Sequence, residues 1–343
     1  MELRKIREKV NVSVLIPVYN VEKYIERCVR SLFGQTMREG VEFIFLDDAT
    51  PDDSIAIIKG LVEEFPDRSG QVTILHHEIN GGIGASRNTC LQAAQGKYII
   101  FCDSDDYFEP DMLMQMYSHA LKSDADMAIA DYYKTFPSHE EIIRVEIHDS
   151  LKERMKSLLQ KSGSSVGYML WNKLVRKNIY ENISDTFISG FDYREDLAAV
   201  ARILMSTHNI VKVPGAYAHY VTYNGSSISK TFSENVINSH FRAIEILSEF
   251  ENDLGPEYQH LLDVMRFEDK LTALIHTEGD SQKKILDLYP SLNYSKLINN
   301  IPLYWRLPYL LALKERPDEF NRIKYILLKI KSLILNLRNQ CYP

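Results

Sequence analysis

The sequence predicts an α/β layer fold, a mostly parallel sheet flanked by helices, followed by an all-helical C-terminal extension. Three observations carry this expectation. Apolar, β-rich runs recur through the first hundred residues and each ends in a polar turn; helical stripes separate them; and from about Phe232 onward every apolar stripe has helical spacing. Strands without polar alternation are buried on both faces, the habit of parallel strands covered by helices.

The elements follow in order. VSVLIPVYN, Val12 to Asn20, is the first strand, and Tyr24, Cys28, Val29 and Leu32 mark a helix reaching about Gln35. FIFLDD, Phe43 to Asp48, is the second strand. TPDDS then offers helix N-caps, with Pro51 near the first turn and Ile55, Ile58, Leu61 and Val62 as the apolar stripe. VTILHH, a glycine-rich turn and a helix over about Ile83 to Ala94 repeat the pattern, and KYIIFCD supplies a strand from Tyr98 to Asp103. In FDYREDLAAVARIL, Leu197, Val200, Ala201 and Leu204 share one helical face, which puts Glu195 and Asp196 in the first turn. A boundary is expected near Ser229 to Phe232. It divides residues 1–230, with halves of about 10–135 and 136–230, from a helical extension over 231–343.

Composition bounds the function. A chain of 343 residues, 45% hydrophobic and 25% charged, suits about two folded domains and excludes disorder and low complexity. The net charge of −7 argues against a nucleic-acid binder, which needs a basic footprint. Cys28, Cys90, Cys102 and Cys341 show no CxxC spacing and read as reduced thiols, which points to the cytoplasm. MELRKIREKV lacks the apolar core of a secretory signal, and no apolar run is long enough to span a bilayer.

In an open parallel sheet, ligands bind beyond the carboxyl ends of the strands. There the sequence places Tyr19 and Asn20, then Asp47 and Asp48, then Asp103, Ser104, Asp105 and Asp106. Asp is a common cap and turn residue, so one such acid alone signifies little. Three in FCDSDD exceed what a turn needs, and a divalent cation or full solvation is the usual remedy for their repulsion. The glycines at 81, 82 and 84 do not make a dinucleotide-binding GxGxxG. The third glycine position holds Arg87, and the run follows the third strand, not the first.

Taken in order, VSVLIPVYN, the DD after FIFL, NGGIGASRN, FCDSDD and REDLAAV resemble the motif set of the family 2 glycosyltransferases with a GT-A fold, over roughly residues 10 to 230. The resemblance implies that Pro17, Val18 and Tyr19 line a nucleotide pocket, that Asp48 recognises the base, and that Arg87 lies near the nucleotide. The family's usual Asp-Gly-Ser is Asp48-Ala49-Thr50 here, with Asp47 as an ancillary or cap acid. Asp103-Ser104-Asp105 matches the DXD motif: Asp103 approaches the ribose or the metal, and Asp105 ligates Mn²⁺ or Mg²⁺. A departing diphosphate gathers negative charge that an oxygen-ligated divalent ion stabilises. Asp106 would orient a ligand carboxylate or cap the helix after Pro110.

Inversion at a sugar carbon needs one general base for the acceptor hydroxyl. Asp196 matches the family's base and Glu195 an adjoining acceptor-site acid, and the helix N-terminus is expected to favour the ionised carboxylate. Two readings remain for Trp171 in YMLWNKLVRKNIY, a face for the acceptor sugar beside Asn172 and Lys173, or core. Two remain for His219, a metal or diphosphate ligand or a structural strand residue. The Gly/Ser-rich loop Tyr223 to Lys230 would close over the donor.

The last helix carries Ile323, Ile326, Leu327, Ile330, Leu333, Ile334 and Leu337 on one face, with Arg322, Lys324, Lys329, Lys331 and Arg338 and no acid after Glu319. Residues 320–339 thus read as a surface for an anionic membrane, or for docking on other helices. The expectation is an inverting, metal-dependent transferase taking a sugar from a nucleotide donor, most simply UDP-linked, to a glycan or lipid-linked acceptor, with peripheral contact at the inner face of the plasma membrane. A nucleotide-sugar pyrophosphorylase would open with a glycine-rich basic loop, absent from VSVLIPVYN. A noncatalytic glycan binder would have lost acids that this chain keeps.

Overall fold

The computed structural model describes residues 9–160, 166–184, 186–187, 190–191, 193–224, 234–314 and 316–341. The chain forms two compact units, Met1–Phe250 and Glu251–Pro343.

The first unit opens as the sequence predicts: β1 (Val12–Val18), α1 (Ile25–Phe33), β2 (Val41–Asp47), α2 (Ser54–Glu64), β3 (Val72–His76), α3 (Gly82–Ala93) and β4 (Tyr98–Phe101). All seven residues of β1 are buried, as are all four of β4, so both faces of these strands are covered. Full burial of each such Val, Ile or Leu contributes about 1.5–3 kcal/mol. Pro51 lies ahead of α2, not in its first turn; Asp52 instead gathers the amide of Ser54 at 3.2 Å and the hydroxyls of Ser54 and Thr50. The entry to β4 is tight, because a Cβ on Gly96 would lie 2.6 Å from the Ser13 amide nitrogen.

Beyond β4 come β5 (Tyr107–Phe108), α4 (Met112–Lys122), β6 (Met127–Thr135), β7 (Glu140–Ile143), α5 (Leu151–Leu159), β8 (Lys173–Arg176), α6 (Lys177–Glu181), α7 (Glu195–Met205), β9 (Ile210–Val221) and α8 (Glu234–Ser248). Among the described residues one nine-stranded sheet results, in the order β3-β2-β1-β4-β8-β6-β9-β5, with β7 on β6. Only part of it is parallel. β1, β2, β3 and β4 pair in parallel, whereas β8 runs antiparallel to both β4 and β6, and β5 antiparallel to β9. Parallel pairing returns in the second half, where β6 runs alongside β9; the short antiparallel strands there, β5 and β8, are the ones the sequence shows only weakly.

The first unit extends past the expected boundary. Ser229 to Phe232 lie outside the described residues, and the division falls after Phe250 because α8 packs within the first unit: Ala243 and Ile246 join Phe191 and Ala198 in one apolar cluster, and His240 stacks on Tyr193 at 5.0 Å.

The second unit is helical: α9 (Glu251–Leu254), α10 (Pro256–His276), α11 (Gly279–Leu286), α12 (Tyr294–Leu297), α13 (Leu303–Leu313) and α14 (Pro317–Cys341). Phe267 meets Tyr309 edge-on at 4.8 Å, and the buried Lys270 ammonium donates to the carbonyls of Leu286 and Leu288 and to the Tyr294 hydroxyl. Burial pushes that amine down to about 8. On α14, Tyr325, Ile326, Leu328 and Ile330 are exposed, whereas Lys324, expected on the charged face, is buried and donates to the Thr277 carbonyl at 3.0 Å. Among the described residues no helix is long and apolar enough to cross a membrane.

Candidate active site

The carboxyl ends of β1, β2 and β4 and the start of α7 bring the predicted acids to one edge of the sheet. At β1, Pro17 and Val18 are packed in the interior and only Tyr19, 47% exposed, faces outward. Of the three, Tyr19 alone presents its side chain to an incoming ligand.

Asp48, expected to read a base, is committed to the protein. It is 3% exposed, its Oδ1 accepts from the Gly81 amide at 2.8 Å and lies 2.6 Å from Nδ1 of His77, and its Oδ2 accepts from the Gly82 amide at 3.0 Å. The carboxylate thus binds the amides at the start of α3, which explains the glycines there: Gly82 has φ +80, and a Cβ on Gly81 would approach Ala85 Cβ at 3.1 Å. Ala49 takes φ +54, the left-handed conformation a glycine would adopt at no steric cost. Asp47 holds the turn as an Asx residue, accepting from the Thr50 amide at 2.8 Å.

Arg87 is buried, and it bridges acids. Nη2 donates to Asp103 Oδ1 at 3.0 Å and Nη1 to Glu195 Oε1, with the aromatic rings of Phe101 and Phe187 within 6 Å. Burial alone would weaken the guanidinium's hold on its proton, but Glu195, Asp103 and Asp196 together raise it, so the cation is permanent. Both forks face carboxylates of the protein, so Arg87 is a link between the donor acids and the helix of the expected base. Glu195 is correspondingly a partner of Arg87 and not an open acceptor contact.

The Asp103 to Asp106 turn is closed by the Asp106 amide donating to the Asp103 carbonyl at 2.9 Å. Asp103 is partly exposed and Ser104 is buried. Asp105 Oδ2 accepts from Asn224 Nδ2 at 2.8 Å; burial pushes its carboxyl upward, the Asn224 bond opposes this, and Asp103 adds to it. Asp106 is raised well above the usual range, first by burial and then by Asp105 and Asp103. Its Oδ1 accepts from the Val221 amide at 2.8 Å, while its buried Oδ2 has no hydrogen-bond partner among the described residues.

Among the described residues, no three His, Cys, Asp or Glu side chains converge as a ready cage for a metal. Mg²⁺-type ions, however, take one or two carboxylates and complete their shell with substrate phosphates and water. Asp105 and Asp103 fit that role: both belong to one turn, Asp103 adds to the burial that raises Asp105, and the adjoining Asp106 keeps a buried oxygen without a hydrogen-bond partner among the described residues.

Asp196, in the first turn of α7, is held by its own neighbour, Oδ1 accepting from the Leu197 amide at 2.7 Å. Its carboxyl is pushed up to about 8, chiefly by burial and then by Glu195, against the pull of Arg87. The helix terminus was expected to keep this acid ionised; burial beside a second carboxylate outweighs it. Trp171 is 3% exposed and belongs to the core, edge-on to Tyr132 at 4.8 Å and stacked on Tyr220 at 5.9 Å. Lys173 is 1% exposed and donates to the Met169 carbonyl and Asn172 Oδ1; burial drives its amine down to about 7, with Asp196 pulling it back. Neither is an open acceptor contact. The aromatic surface left open on Trp171 is that of its stacked partner Tyr220, and Tyr168 is also exposed. His219 is not available as a ligand, since its ring nitrogens lie 2.8 and 2.9 Å from Glu109 and Glu140. Sequence reasoning missed Asn224 and Arg27. Asn224 stands just before the Gly/Ser run and carried a usable signal; Arg27 reads as an ordinary charge on a helix surface. The loop beyond Asn224 to Lys230 lies outside the described residues.

A sheet that gathers a turn of aspartates, an arginine bridge and a helix-borne acid at its carboxyl edge has the arrangement of a GT-A fold. The profile of glycosyl transferase family 2 matches residues 13–188, and the chain belongs to that family. EpsH of Bacillus subtilis (strain 168) is 30% identical over 259 residues, 74% of this chain and 73% of EpsH. EpsJ of the same organism is 31% identical over 192 residues, and the match spans about half of each chain, 54% and 53%. Among solved structures, Staphylococcus aureus TarS 1–349 in complex with UDP-GlcNAc superposes with a TM-score of 0.65 at 17% identity, over 93% of this chain and 92% of that one. At that identity the likeness is one of fold.

Proposed function

We propose that the chain is an inverting, metal-dependent glycosyltransferase that moves a sugar from a UDP-linked donor to a hydroxyl of a glycan or lipid-linked acceptor in cell-surface polysaccharide assembly. One observation carries this reading: Arg87 joins Asp103 of the donor turn to Glu195 beside Asp196, so the donor-side and acceptor-side acids of a single displacement are fixed to one cation. The UDP-GlcNAc bound to TarS supports a UDP-linked donor.

In this reading Asp105 and Asp103 hold Mn²⁺ or Mg²⁺, which offsets charge on the leaving diphosphate. Tyr19, Asp103 and Ser104 stay at the nucleotide, with Asp48 shaping the glycine turn from below. Ionised Asp196 takes the proton of the acceptor hydroxyl, and Arg87 keeps the two acid groups in register. Tyr220 and Tyr168 replace Trp171 as the open aromatic surfaces for the acceptor sugar. Calorimetry with UDP tests the metal assignment. Wild type is expected to bind UDP only with Mn²⁺ present, and Asp105→Ala to lose that dependence; a variant that keeps Mn²⁺-dependent binding contradicts it.

Membrane contact through residues 320–339 completes the proposal. Exposed Ile326 and Ile330 on α14 are flanked by exposed Arg322 and Lys329, the pairing of apolar and basic side chains that suits an anionic surface. Side chains from 331 onward lie outside the description. Deleting the residues after Asp318 is expected to weaken sedimentation with anionic liposomes, and full retention by the truncated protein refutes the contact.

A further inference from the structure

We propose that His219 is a positioning residue of the donor site, holding the turn that carries Asp105 through a stack of rings. This rests on the reading of Asp105 as the carboxylate that meets the metal and the diphosphate.

His219 lies on β9, 4% exposed. Its Nε2 is 2.8 Å from Glu109 Oε1 and its Nδ1 is 2.9 Å from Glu140 Oε1. Each ring nitrogen thus faces a carboxylate oxygen, so the imidazole is held edge-on between Glu109 and Glu140. The ring is sandwiched, with Tyr107 at 4.1 Å and 9° and Tyr133 at 4.7 Å and 21°. Tyr107 and Thr135 add their hydroxyls to the same Glu140 oxygen, at 3.1 and 2.9 Å. The groups facing His219 are therefore Glu109 beyond β5, Glu140 on β7, Tyr107 on β5, and Tyr133 and Thr135 on β6.

The stack continues to the site. The Arg27 guanidinium lies 4.4 Å from the Tyr107 ring centre. The imidazole already covers one face of that ring, so Arg27 covers the other, a cation–π contact. Arg27 Nη2 donates to the Asp105 carbonyl at 3.4 Å and Nη1 to the Tyr223 hydroxyl at 2.6 Å. From Tyr133 through His219 and Tyr107 to Arg27, four side chains in line end on the backbone of Asp105. The chain reaches the turn again two and five residues after His219, through the Val221 amide at the end of β9 on Asp106 and Asn224 beyond the strand on Asp105. β5 is only two residues long, Tyr107 and Phe108, so its own ladder fixes little, and these side chains set where the preceding aspartates stand.

The test uses the full chain and two variants, His219→Gln, which loses the ring stacked between Tyr107 and Tyr133, and Glu109→Gln, whose side chain is on the rim and spares the interior. Mn²⁺ is titrated against UDP binding by calorimetry, with hydrogen exchange of the 105–109 amides in the metal-free protein. His219→Gln should raise half-saturating Mn²⁺ by about tenfold, the scale of losing a group that orients a metal ligand. Glu109→Gln should raise it less and in the same direction, and both should exchange 105–109 faster. The rise in half-saturating Mn²⁺ should outpace any change in kcat, a split that general loss of folding does not produce. Unchanged Mn²⁺ titration in folded His219→Gln, or in Glu109→Gln should the first variant not fold, overturns the proposal. If wild type and Asp105→Ala bind UDP alike, the metal assignment fails and takes this inference with it. A normal Asp105→Ala loss with unaltered His219→Gln removes this inference alone.

Discussion

Asp196→Asn should lower kcat by about 10²–10⁴-fold, the usual worth of a positioned general base, and at the same time raise the melting temperature. The two effects share one cause. The carboxyl is held at about 8 against an ordinary 3.8, chiefly by burial and then by Glu195, so the folded protein favours the neutral form. Stability from this group is complete below the unfolded value near 4 and is lost as pH rises toward 8, because the unfolded chain ionises freely and the folded one resists. Asparagine stays neutral throughout and escapes that loss. The melting temperature of the variant relative to wild type should therefore climb between pH 4 and 8 and level off above. Wild-type kcat/KM should rise with pH across the same region as the base ionises. Scanning calorimetry and initial rates across pH check both, and a variant less stable than wild type at pH 8 would sink the argument. A residue whose removal stabilises the fold and abolishes turnover is one the fold tolerates for its chemistry.

Arg87→Met should be the most destabilising single change at the site. Arg87 is the common partner of Asp103 and Glu195, and Glu195 is itself buried. Removing one partner of a buried ion pair typically costs about 3–5 kcal/mol, because the other charge stays behind without compensation. For a unit of this size that corresponds to a fall of about 2–4 °C in Tm per kcal/mol. Arg87→Lys should recover only part of the loss, since one ammonium cannot span both carboxylates as the planar fork does. Urea unfolding at neutral pH gives the comparison, and equal midpoints for Arg87→Met and wild type would show that the bridge holds nothing.

These two predictions also mark what could be read before the fold was known. The β-α units from Val12 to Phe101 are legible because buried parallel strands leave unbroken apolar runs, and the acids are legible because they follow those runs directly. The second half is less so. β5 has two residues and β8 four, too short for any periodicity, and their places depend on pairing with β9, β4 and β6. Asp48 and Arg87 were found as polar residues at the right edge, but their partners lie far away in sequence: Asp48 meets Gly81 and Gly82, and Arg87 meets Glu195, 108 residues on. Spacing along a chain does not report such closures. Trp171 shows the same limit in reverse, since an aromatic beside Asn and Lys reads as a sugar platform until its neighbours Tyr132 and Tyr220 are in place. The surroundings of Asp196 are hidden for a related reason: the helix terminus is visible in the sequence, and the burial beside Glu195 that raises its carboxyl is not.

The central claim is that one edge of the sheet holds a metal-dependent donor site and a separate base. It is tested most directly by measuring Mn²⁺-dependent UDP binding and sugar transfer side by side on wild type, Asp105→Ala and Asp196→Asn. Asp105→Ala should lose both, and Asp196→Asn should bind UDP with Mn²⁺ as wild type does while losing transfer. Retained transfer in Asp196→Asn, or retained Mn²⁺-dependent binding in Asp105→Ala, would contradict the account.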